Sequence, residues 1–405
     1  MMVRDKQRGT ILIMAAIMLP VLLAGLGLVI DNGQAYEMKR RLQSAADAGA
    51  TAASHELRRG NTTKFEQIVI DNVARNGFTA SNTDIKVYNP PKTGKRVGDK
   101  NYVEVVLRHE APLYFMKPFY DSQLMVEARA IGGVRPTEVC ILVLNKTASS
   151  ALLVAGNAYV DVSKCAVQVD SNSSTAARSN GGATLLAART DVVGKYSGNA
   201  FSPTPNTGQP NIDDPLAAVP APTFKKCTGK VTTLKIGGSS TLSPGTFCGG
   251  IEITSGAVAT LNAGLYIMAG GGLTIRGGGT IKGDGVTIFN TSSGSSSFAP
   301  IDMAGGATAK LTAPTTGTYK GIIFFGDRTI TSGKVNQITS NSDSYYTGTL
   351  YFPSQTLTYI GSAMLDNQKM LIIADTVEFQ GTVKVTALTA NDGVSPYIME
   401  ASLVY

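Results

Sequence analysis

Tryptophan is absent from this 405-residue chain, and histidine occurs only twice, at His55 and His109. This scarcity narrows the available chemistry, because histidine is the side chain most suited to proton transfer near neutral pH and a common metal ligand. Charged residues are also few, at 16% of the sequence, where an average domain has about 25%. Together with 44 glycines, this composition favours short strands and turns over long solvated helices.

Cysteine is scarce as well, and the four residues Cys140, Cys165, Cys227 and Cys248 lack the Cys-x-x-Cys spacing of a zinc or redox site. Two disulfides are expected if this region leaves the cytosol, with reduced buried thiols as the alternative. The net charge is +7, but the clearest basic cluster, Lys39–Arg41, follows an apolar segment. We therefore expect a mildly basic envelope protein without a nucleic-acid partner.

One long segment has no charge at all: Thr10–Ile30, with the sequence TILIMAAIMLPVLLAGLGLVI. As a helix, this segment is long enough to cross a hydrocarbon core of about 30 Å. The run is longer than that of a cleaved signal and ends at Asp31, so a retained transmembrane helix is expected, with a cleaved signal as the alternative. Pro20 is compatible with a membrane helix.

The orientation of this span does not follow from charge, because three basic residues precede it and three soon follow it. The tail of residues 1–9 is short, however, and long C-terminal domains are translocated largely regardless of their charge. We therefore expect a cytoplasmic N-terminus and a body outside the cytoplasm.

Small side chains recur after the span. Leu42, Ala46, Gly49 and Ala53 follow one another at spacings of three and four, which predicts one face of a helix. Small residues allow another helix to approach closely. This face is expected to pack either on its own domain or against helices of other membrane or pilus subunits.

Residues 31–135 as a whole are predicted to form this helix and a small α+β domain. A short amphipathic helix is expected over Lys64–Asn76, followed by strands at Asp84–Tyr88, Tyr102–Leu107 and Leu124–Ile131. A turn-rich segment between the first two strands indicates a hairpin with a long loop. His109 has no nucleophile or metal ligands near it in the sequence, so an ordinary strand-end histidine is expected.

The segment RDKQRGTILIMAAIMLPVLLAGLGLVIDNGQAYEMKRRLQSAADAGATAAS resembles the TadG-like N-terminal segment of bacterial Flp (tight adherence, Tad) pilus-assembly proteins. The shared features are a basic tail with Arg8-Gly9, an uncharged span, Asp31 at its end, and Tyr36 before the run LQSAADA. The resemblance implies a bacterial inner-membrane protein with an extracytoplasmic body. It also implies that the partners are the membrane and other proteins of the Tad/Flp pilus apparatus.

Two features found among such proteins are absent. Prepilins are cleaved after a glycine and carry glutamate at the fifth mature position, but the fifth residue after Gly9 is Met14. Cleavage by a prepilin peptidase is therefore not expected. Some members of the family have a metal-binding Asp-x-Ser-x-Ser motif, but the run that begins at Asp170 has Asn172 in place of the first serine. No such metal site is expected.

Between residues 136 and 405, short apolar strand patterns replace helical periodicity. The clearest strand starts are Ile251, Val258, Leu265, Leu273, Thr280 and Val286. Every third start recurs at a nearly constant interval, as in a coil of three short strands per turn. We therefore predict an all-β, right-handed parallel β-helix (solenoid), with glycines at its corners. A similar rhythm occurs from residue 141 to residue 186, and a Pro-rich excursion near 196–223 interrupts it.

In this interpretation the glycine-rich run GLYIMAGGGLTIRGGGTIKGDGVTIFN is a solenoid wall, not a flexible linker or a phosphate-binding loop. Alternation along its strands predicts seven side chains that point inward. They are Leu265, Ile267, Leu273, Ile275, Ile281, Val286 and Ile288.

Cysteine spacing fits the same coil. The separation of Cys227 and Cys248 equals one predicted turn, and that of Cys140 and Cys165 equals one turn with a small insertion. Residues stacked on adjacent turns lie about 4.8 Å apart, which suits a disulfide. The predicted pairs are Cys140–Cys165 and Cys227–Cys248.

Catalysis is not expected. A glycosidase needs paired carboxylates at a fixed separation, but Asp213 and Asp214 lie in the Pro-rich excursion and Asp284, Asp302 and Asp327 are scattered. A lyase that uses arginine and calcium is the enzymatic alternative. The run GGGTIKGDG has neither phosphate-loop spacing nor a repeated calcium motif, so no cofactor is expected.

Two non-catalytic functions remain. The first is a membrane-anchored structural component of the Flp/Tad pilus assembly apparatus that projects its β-helix into the periplasm. The alternative is a minor pilus subunit or surface adhesin whose β-helix binds glycans or host surfaces.

Overall fold

The chain divides into two compact units. A computed structural model describes residues 6–58, 62–117, 124–228, 231–294, 297–330, 333–338, 341–360, 364–366, 369–386 and 395–404. One unit, here called the anchor unit, comprises Met1–Pro136 together with Met399–Tyr405. The other, here called the stack unit, comprises Thr137–Ile398.

The anchor unit is dominated by one continuous helix, α1 (Lys6–Arg58). It contains both the uncharged segment and the stripe of small residues that follows it. A short 3₁₀ turn (Thr62–Lys64) leads into the second helix, α2 (Phe65–Arg75). The side chains of Phe65, Val69 and Val73 are buried, because residues four apart share one face of a helix.

The sheet of the anchor unit is antiparallel, with β1 (Thr83–Tyr88) paired to β2 (Tyr102–Ala111) and β2 paired to β3 (Leu124–Val143). A 3₁₀ turn, Gly94–Arg96, lies within the loop between β1 and β2. Strands β2 and β3 extend beyond their predicted ends. The inward side chains alternate along β2 and β3 and pack with α1 and α2 in one core: Val103, Val105, Leu107, Val126, Ala128 and Ala130.

The stack unit is built from many short strands. In chain order they are β4 (Leu152–Val154), β5 (Tyr159–Val169), β6 (Ala177–Ser179), β7 (Thr184–Val192), β8 (Tyr196–Ser197), β9 (Phe201–Ser202), β10 (Leu234–Ile236), β11 (Ser239–Leu242), β12 (Gly245–Cys248), β13 (Ile251–Ile253), β14 (Val258–Leu261), β15 (Gly264–Ala269), β16 (Leu273–Ile275), β17 (Thr280–Gly283), β18 (Val286–Thr291), β19 (Ile301–Met303), β20 (Thr308–Thr312), β21 (Ile322–Gly326), β22 (Val335–Ile338), β23 (Tyr345–Ile360), β24 (Met364–Asp366), β25 (Met370–Gln380), β26 (Lys384–Thr386) and β27 (Tyr397–Val404). The last of these, β27, continues into the anchor unit, and β3 continues from it.

From β10 to β20, each strand pairs in parallel with the strand three positions later in the chain, and β21 pairs with β23. Ile251 lies beside Leu273, Val258 beside Thr280, and Gly264 beside Val286, so the offset along the chain is the same in all three pairs. The predicted strands at this period are therefore present. A large region of parallel strands with this repeat is consistent with a β-helix or solenoid-like domain.

The order of strands in the stack is not their order in the chain. Strand β25 pairs with β3 and β4, placing Ile372 beside Ile141 and Val377 beside Leu152. Pairings then continue from β5 to β7 and from β7 to β9. The chain therefore enters the stack in its middle, builds to one end at β8 and β9, and resumes at the opposite end with β10.

The connection between the two ends is the Pro-rich segment, residues 203–228, here called the strap. Near its start, Gln168 donates a hydrogen bond to the Pro210 carbonyl over 3.1 Å, and the Ile212 amide donates to Asp170 over 3.2 Å. Near its end, the Cys227 amide donates to Ser293 over 2.9 Å. These contacts fall on widely separated layers, so the strap lies along one side of the stack.

Two of the seven predicted inward positions are wrong. In β15, Tyr266 and Met268 lie in the interior core, whereas Ile267 packs on the outer face with strap residues such as Leu216, and Leu265 packs against that outer cluster. The strap makes this outer face apolar as well. The alternation of polar and apolar residues therefore does not show which residues of β15 face inward. The other five do lie in the interior core: Leu273, Ile275, Ile281, Val286 and Ile288.

Candidate membrane-proximal site

The N-terminal half of α1 is apolar and almost uncovered. Among the described residues, Leu12–Arg58 is the one helix that is long and apolar enough to cross a membrane. Its side chains from Leu12 to Ile30 are exposed, with Gly27 as the exception. An apolar surface of this size needs an apolar environment, and Pro20 lies within the helix without ending it.

Asp31, the first charged residue after this segment, is buried at 3% exposure. Its carboxylate accepts three backbone hydrogen bonds from consecutive residues: from Tyr114 at 3.0 Å, Phe115 at 3.1 Å and Met116 at 2.7 Å. These donors belong to the segment Pro112–Lys117, here called the juxtamembrane loop. Consecutive N–H groups that converge on one anion satisfy its hydrogen-bonding capacity, so Asp31 fastens this loop to α1.

The protonation of Asp31 follows from the same contacts. Burial alone raises the pKa of a carboxyl group, but the amides of Tyr114, Met116 and Phe115 outweigh it and lower the Asp31 pKa below its ordinary value. The carboxylate is therefore ionised at neutral pH. Its contribution to stability is complete above the pKa of the unfolded chain and is lost as pH falls through the lower folded pKa.

Gly27 lies one helical turn before Asp31 and faces the same loop. A Cβ atom on Gly27 would lie 2.6 Å from the Phe115 Cβ, closer than two carbon atoms can approach without a clash. Only glycine therefore allows the juxtamembrane loop to lie against α1 here. Asp31 was predicted from the sequence, whereas Gly27 and the loop were not, although the aromatic pair Tyr114-Phe115 shortly after β2 was a visible signal.

The stripe of small residues lies further along α1 and packs within the anchor unit. Leu42, Ala46 and Ala53 are fully buried. At Gly49, an added Cβ would lie 3.1 Å from Val69 and 3.3 Å from Val73 of α2. The two helices therefore meet at Gly49, and this face is occupied by the unit's own α2 and sheet.

The comparison with known protein families finds a similarity to the part of α1 that holds this apolar segment and the packed stripe after it. Residues 9–55 match the family model of putative Flp pilus-assembly TadE/G-like proteins. The match includes the exposed apolar half of α1, Asp31 and the stripe from Leu42 to Ala53. No curated protein and no solved structure significantly matches the chain.

Beyond the TadE/G-like segment, the anchor unit contains a second buried carboxylate, Glu104, at 1% exposure. It accepts hydrogen bonds from the Lys92 amide at 2.7 Å, the Thr93 hydroxyl and the Arg129 guanidinium. Burial raises its pKa, but Thr93, Arg129 and Lys92 outweigh burial and hold the Glu104 pKa below its ordinary value. This network ties the long β1–β2 loop to the sheet.

Outside the TadE/G-like segment, the structure contains both predicted disulfides, each with a Cα–Cα distance of 5.8 Å. Cys140 and Cys165 lie on the neighbouring parallel strands β3 and β5, as the stacking argument requires. Cys227 instead lies in the strap, and the residue stacked beside Cys248 is Ala269. The second disulfide therefore joins the strap to the first layer of the stack.

Several of the acidic residues considered as catalytic candidates have structural partners. Asp214 accepts a hydrogen bond from the Tyr351 hydroxyl at 2.6 Å. Burial is the main cause that raises the Tyr351 pKa well above its ordinary value, and the neighbouring Asp214 raises it further. The hydroxyl therefore keeps its proton. Asp302 pairs with Arg276, and Asp284 accepts from Thr312. Within the described ranges, no group of three or more His, Cys, Asp or Glu residues is placed to hold a metal ion.

Arg328 connects the strap to the same cluster. Its guanidinium donates to the carbonyls of Leu216 at 2.7 Å and Val219 at 2.9 Å, and to the Tyr351 hydroxyl at 2.9 Å. It also stacks on the rings of Phe325 and Tyr351. A planar guanidinium suits this combination of carbonyl acceptors and aromatic faces, and the arrangement fixes the strap at the middle of the stack.

Proposed function

We propose that this protein is a membrane-anchored, non-catalytic component of the bacterial Flp/Tad pilus assembly apparatus. The observation that carries the proposal is the TadE/G-like match over residues 9–55, which coincides with an exposed apolar helix that continues into a folded core. Its partners in this proposal are the inner membrane and other proteins of that apparatus.

In this proposal the chain crosses the inner membrane once, with residues 1–9 in the cytoplasm and both units' folded parts in the periplasm. Two features support the orientation. A long C-terminal body is translocated largely regardless of its charge. The two disulfides are stable in an oxidising compartment and uncommon in the cytosol.

The stack unit serves in this proposal as a right-handed parallel β-helix that projects from the membrane as a rigid body. The repeated parallel pairing of strands three positions apart, with one offset along the chain shared by three successive pairs, supports the β-helix. The strap along its side adds a buried apolar cluster. A projecting solenoid presents an extended surface to other proteins and needs no catalytic group.

Fractionation of pilus-producing cells tests the location and role. We expect the protein to remain in the inner membrane after pili have been sheared off and collected. Recovery with the sheared pili would favour a minor pilus subunit or surface adhesin that binds glycans or host surfaces. A deletion strain that assembled normal pili and adhered normally would contradict a role in the apparatus.

Two further measurements test orientation and the absence of catalysis. Protease added to spheroplasts is expected to digest the body, whereas a body protected until the membrane is lysed would contradict the periplasmic location. The purified protein is expected to leave a panel of acidic glycans intact. Glycan cleavage that was lost on substitution of an acidic cluster would overturn the non-catalytic assignment.

A further inference from the structure

We propose that the juxtamembrane loop is a second membrane contact, which places the side chains of Tyr114 and Phe115 in the interfacial layer of the bilayer that α1 crosses. The binding partner is a lipid surface. The inference rests on the proposed function, in which Thr10–Ile30 span the membrane. It adds a second segment, beyond β2 in the chain, that enters the same leaflet.

The depth of the loop follows from its contacts with α1. Phe115 packs against Gly27, which lies one helical turn before Asp31. At a rise of about 1.5 Å per residue, Gly27 is about 6 Å closer to the bilayer centre than Asp31 if the helix crosses upright. Asp31 is the first charged residue after the uncharged segment. Phe115 therefore lies at the level where hydrocarbon meets headgroups.

The loop presents the side chains that this layer favours. Tyr114 is 64% exposed and Phe115 is 52% exposed, and aromatic rings concentrate at membrane–water interfaces. Beneath them, a cavity of about 200 Å³ is lined by Leu28, Leu113, Met116 and Leu124 together with Asp31 and Asn32. The exposed side chain of Lys117 follows, and its ammonium group can reach the headgroups from this position.

The backbone of the loop is prepared for an environment poor in water. An unsatisfied N–H group is costly wherever lipid replaces water. The amides of Tyr114, Phe115 and Met116 all donate to the Asp31 carboxylate, so these three groups need no water. In open solvent, water could satisfy these amides. The buried Asp31 carboxylate satisfies them where water is scarce.

Two contacts do what a single helix does not. A lone span can tilt toward any side, whereas a span with a loop inserted beside it contacts the bilayer at two points. The juxtamembrane loop therefore limits the tilt of the anchor unit and selects the side of α1 that leans toward the membrane surface.

The absence of tryptophan makes the proposal directly testable, because one substitution creates a unique fluorophore in the full-length protein. The test variants are Phe115→Trp and Tyr114→Trp. Leu23→Trp reports on the span, about 12 Å nearer the bilayer centre than Asp31 for an upright helix. Val97→Trp is the control, because Val97 is 58% exposed in the β1–β2 loop at the opposite end of β2, about 30 Å from the juxtamembrane loop.

Each variant is purified and reconstituted alone in phosphatidylcholine–phosphatidylglycerol vesicles that carry bromine at a shallow or a deep position of the acyl chain. Tryptophan at 114 or 115 is expected to be quenched, and more strongly by shallow than by deep bromine. Tryptophan at 23 is expected to show the reverse order, and tryptophan at 97 no quenching by either lipid.

The other outcomes separate this inference from the proposed anchor. Quenching at position 23 without quenching at 114 and 115 would overturn the loop contact and leave the membrane span intact. No quenching at any position would contradict the span, and the loop contact with it. Blue-shifted but unquenched emission at 114 and 115 would show that protein covers the loop, as in contact with a second copy, and would also overturn the proposal.

Discussion

The two units bury their apolar residues by different arrangements. In the anchor unit, paired strands follow one another in the chain, and Ile85 of β1 lies beside Leu107 of β2. In the stack unit, Ile141 of β3 lies beside Ile372 of β25, with most of the unit's sequence between them. Apart from Met399–Tyr405, the anchor unit is assembled from segments that are close in the chain. In the stack unit, the first strands pair with strands from the end of the unit's sequence. The stack therefore depends on contacts that no short segment contains.

This difference also separates the roles of long connections. The anchor unit joins its antiparallel strands by loops at the sheet ends. The stack unit needs the strap, which returns the chain from one end of the stack to the other. The strap is fixed to Gln168, Arg328 and Cys248, which lie on different layers. Four experiments test whether the units behave as differently as their topologies indicate.

Core truncation should have the largest effect and should separate the units. Leu107→Ala in the anchor unit and Phe352→Ala in the stack unit each remove a fully buried side chain. We expect losses of about 2–5 and about 3–5 kcal/mol respectively, because each leaves a cavity. Scanning calorimetry should show each variant lowering the transition of its own unit, with Val97→Ala as an exposed control. Equal shifts of every transition would show that the units unfold as one.

Removing the two disulfides compares the strap with the stack. The closed loops differ little, with sequence separations of 21 and 25, so Cys227→Ser/Cys248→Ser and Cys140→Ser/Cys165→Ser should each cost about 2–4 kcal/mol. Only the first pair releases the strap from the first layer, so only that variant should gain proteolytic cleavage within residues 203–228. Denaturant unfolding and mass spectrometry of limited digests measure both. Cleavage gained equally in both variants would contradict the separate role of the strap.

Arg328→Ala tests how the middle of the strap is held. It removes donors from the partly buried Leu216 and Val219 carbonyls, and we expect a loss of about 1–3 kcal/mol because these acceptors lose their partner. Hydrogen exchange of the strap should accelerate. Arg178→Ala, at an exposed position of β6, serves as the control and should change little. Unchanged exchange in the strap of the Arg328 variant would show that the disulfide and apolar contacts suffice.

The smallest effect is expected from the pH dependence of the anchor unit. The Glu104 pKa lies below its ordinary value of 4.5 when folded, so the ionised carboxylate stabilises the unit fully above about pH 4.5. This contribution is lost as pH falls through the lower folded pKa. Glu104→Gln should therefore flatten the acid limb of a thermal-stability profile. Glu127→Gln, whose partner Arg108 is half exposed, should barely change it, and an equal change would contradict this view of Glu104.

Much of the local structure could be predicted from the sequence. The strands Ile251–Ile253 and Leu273–Ile275 match the predicted runs, and the TadE/G-like segment was recognisable from its span and LQSAADA run. Both follow from patterns within a few residues. The outward direction of the Leu265 and Ile267 side chains could not be predicted in this way, because the strap covers that outer face with apolar side chains.

The pairing of strands that lie far apart in the chain could not be predicted, for a related reason. The sequences of the short strands near residues 141 and 372 do not indicate that these strands pair, because each is an apolar run that could pair with many others. The disulfide at Cys227 was paired correctly, but its position in the strap was not foreseen. At the membrane-proximal site, Asp31 was selected as the end of the span, whereas its three amide donors come from a loop that α2, β1 and β2 separate from it in the chain.

The stack unit begins and ends side by side. The Val139 amide donates a hydrogen bond to the Pro396 carbonyl over 2.8 Å, and the chain on either side, through Pro136 and from Met399, belongs to the anchor unit. In genetic terms, the codons for the stack unit form one continuous block between the two parts of the coding sequence for the anchor unit. Because the ends of the stack unit meet, a short linker in place of this block would span the gap that its deletion leaves.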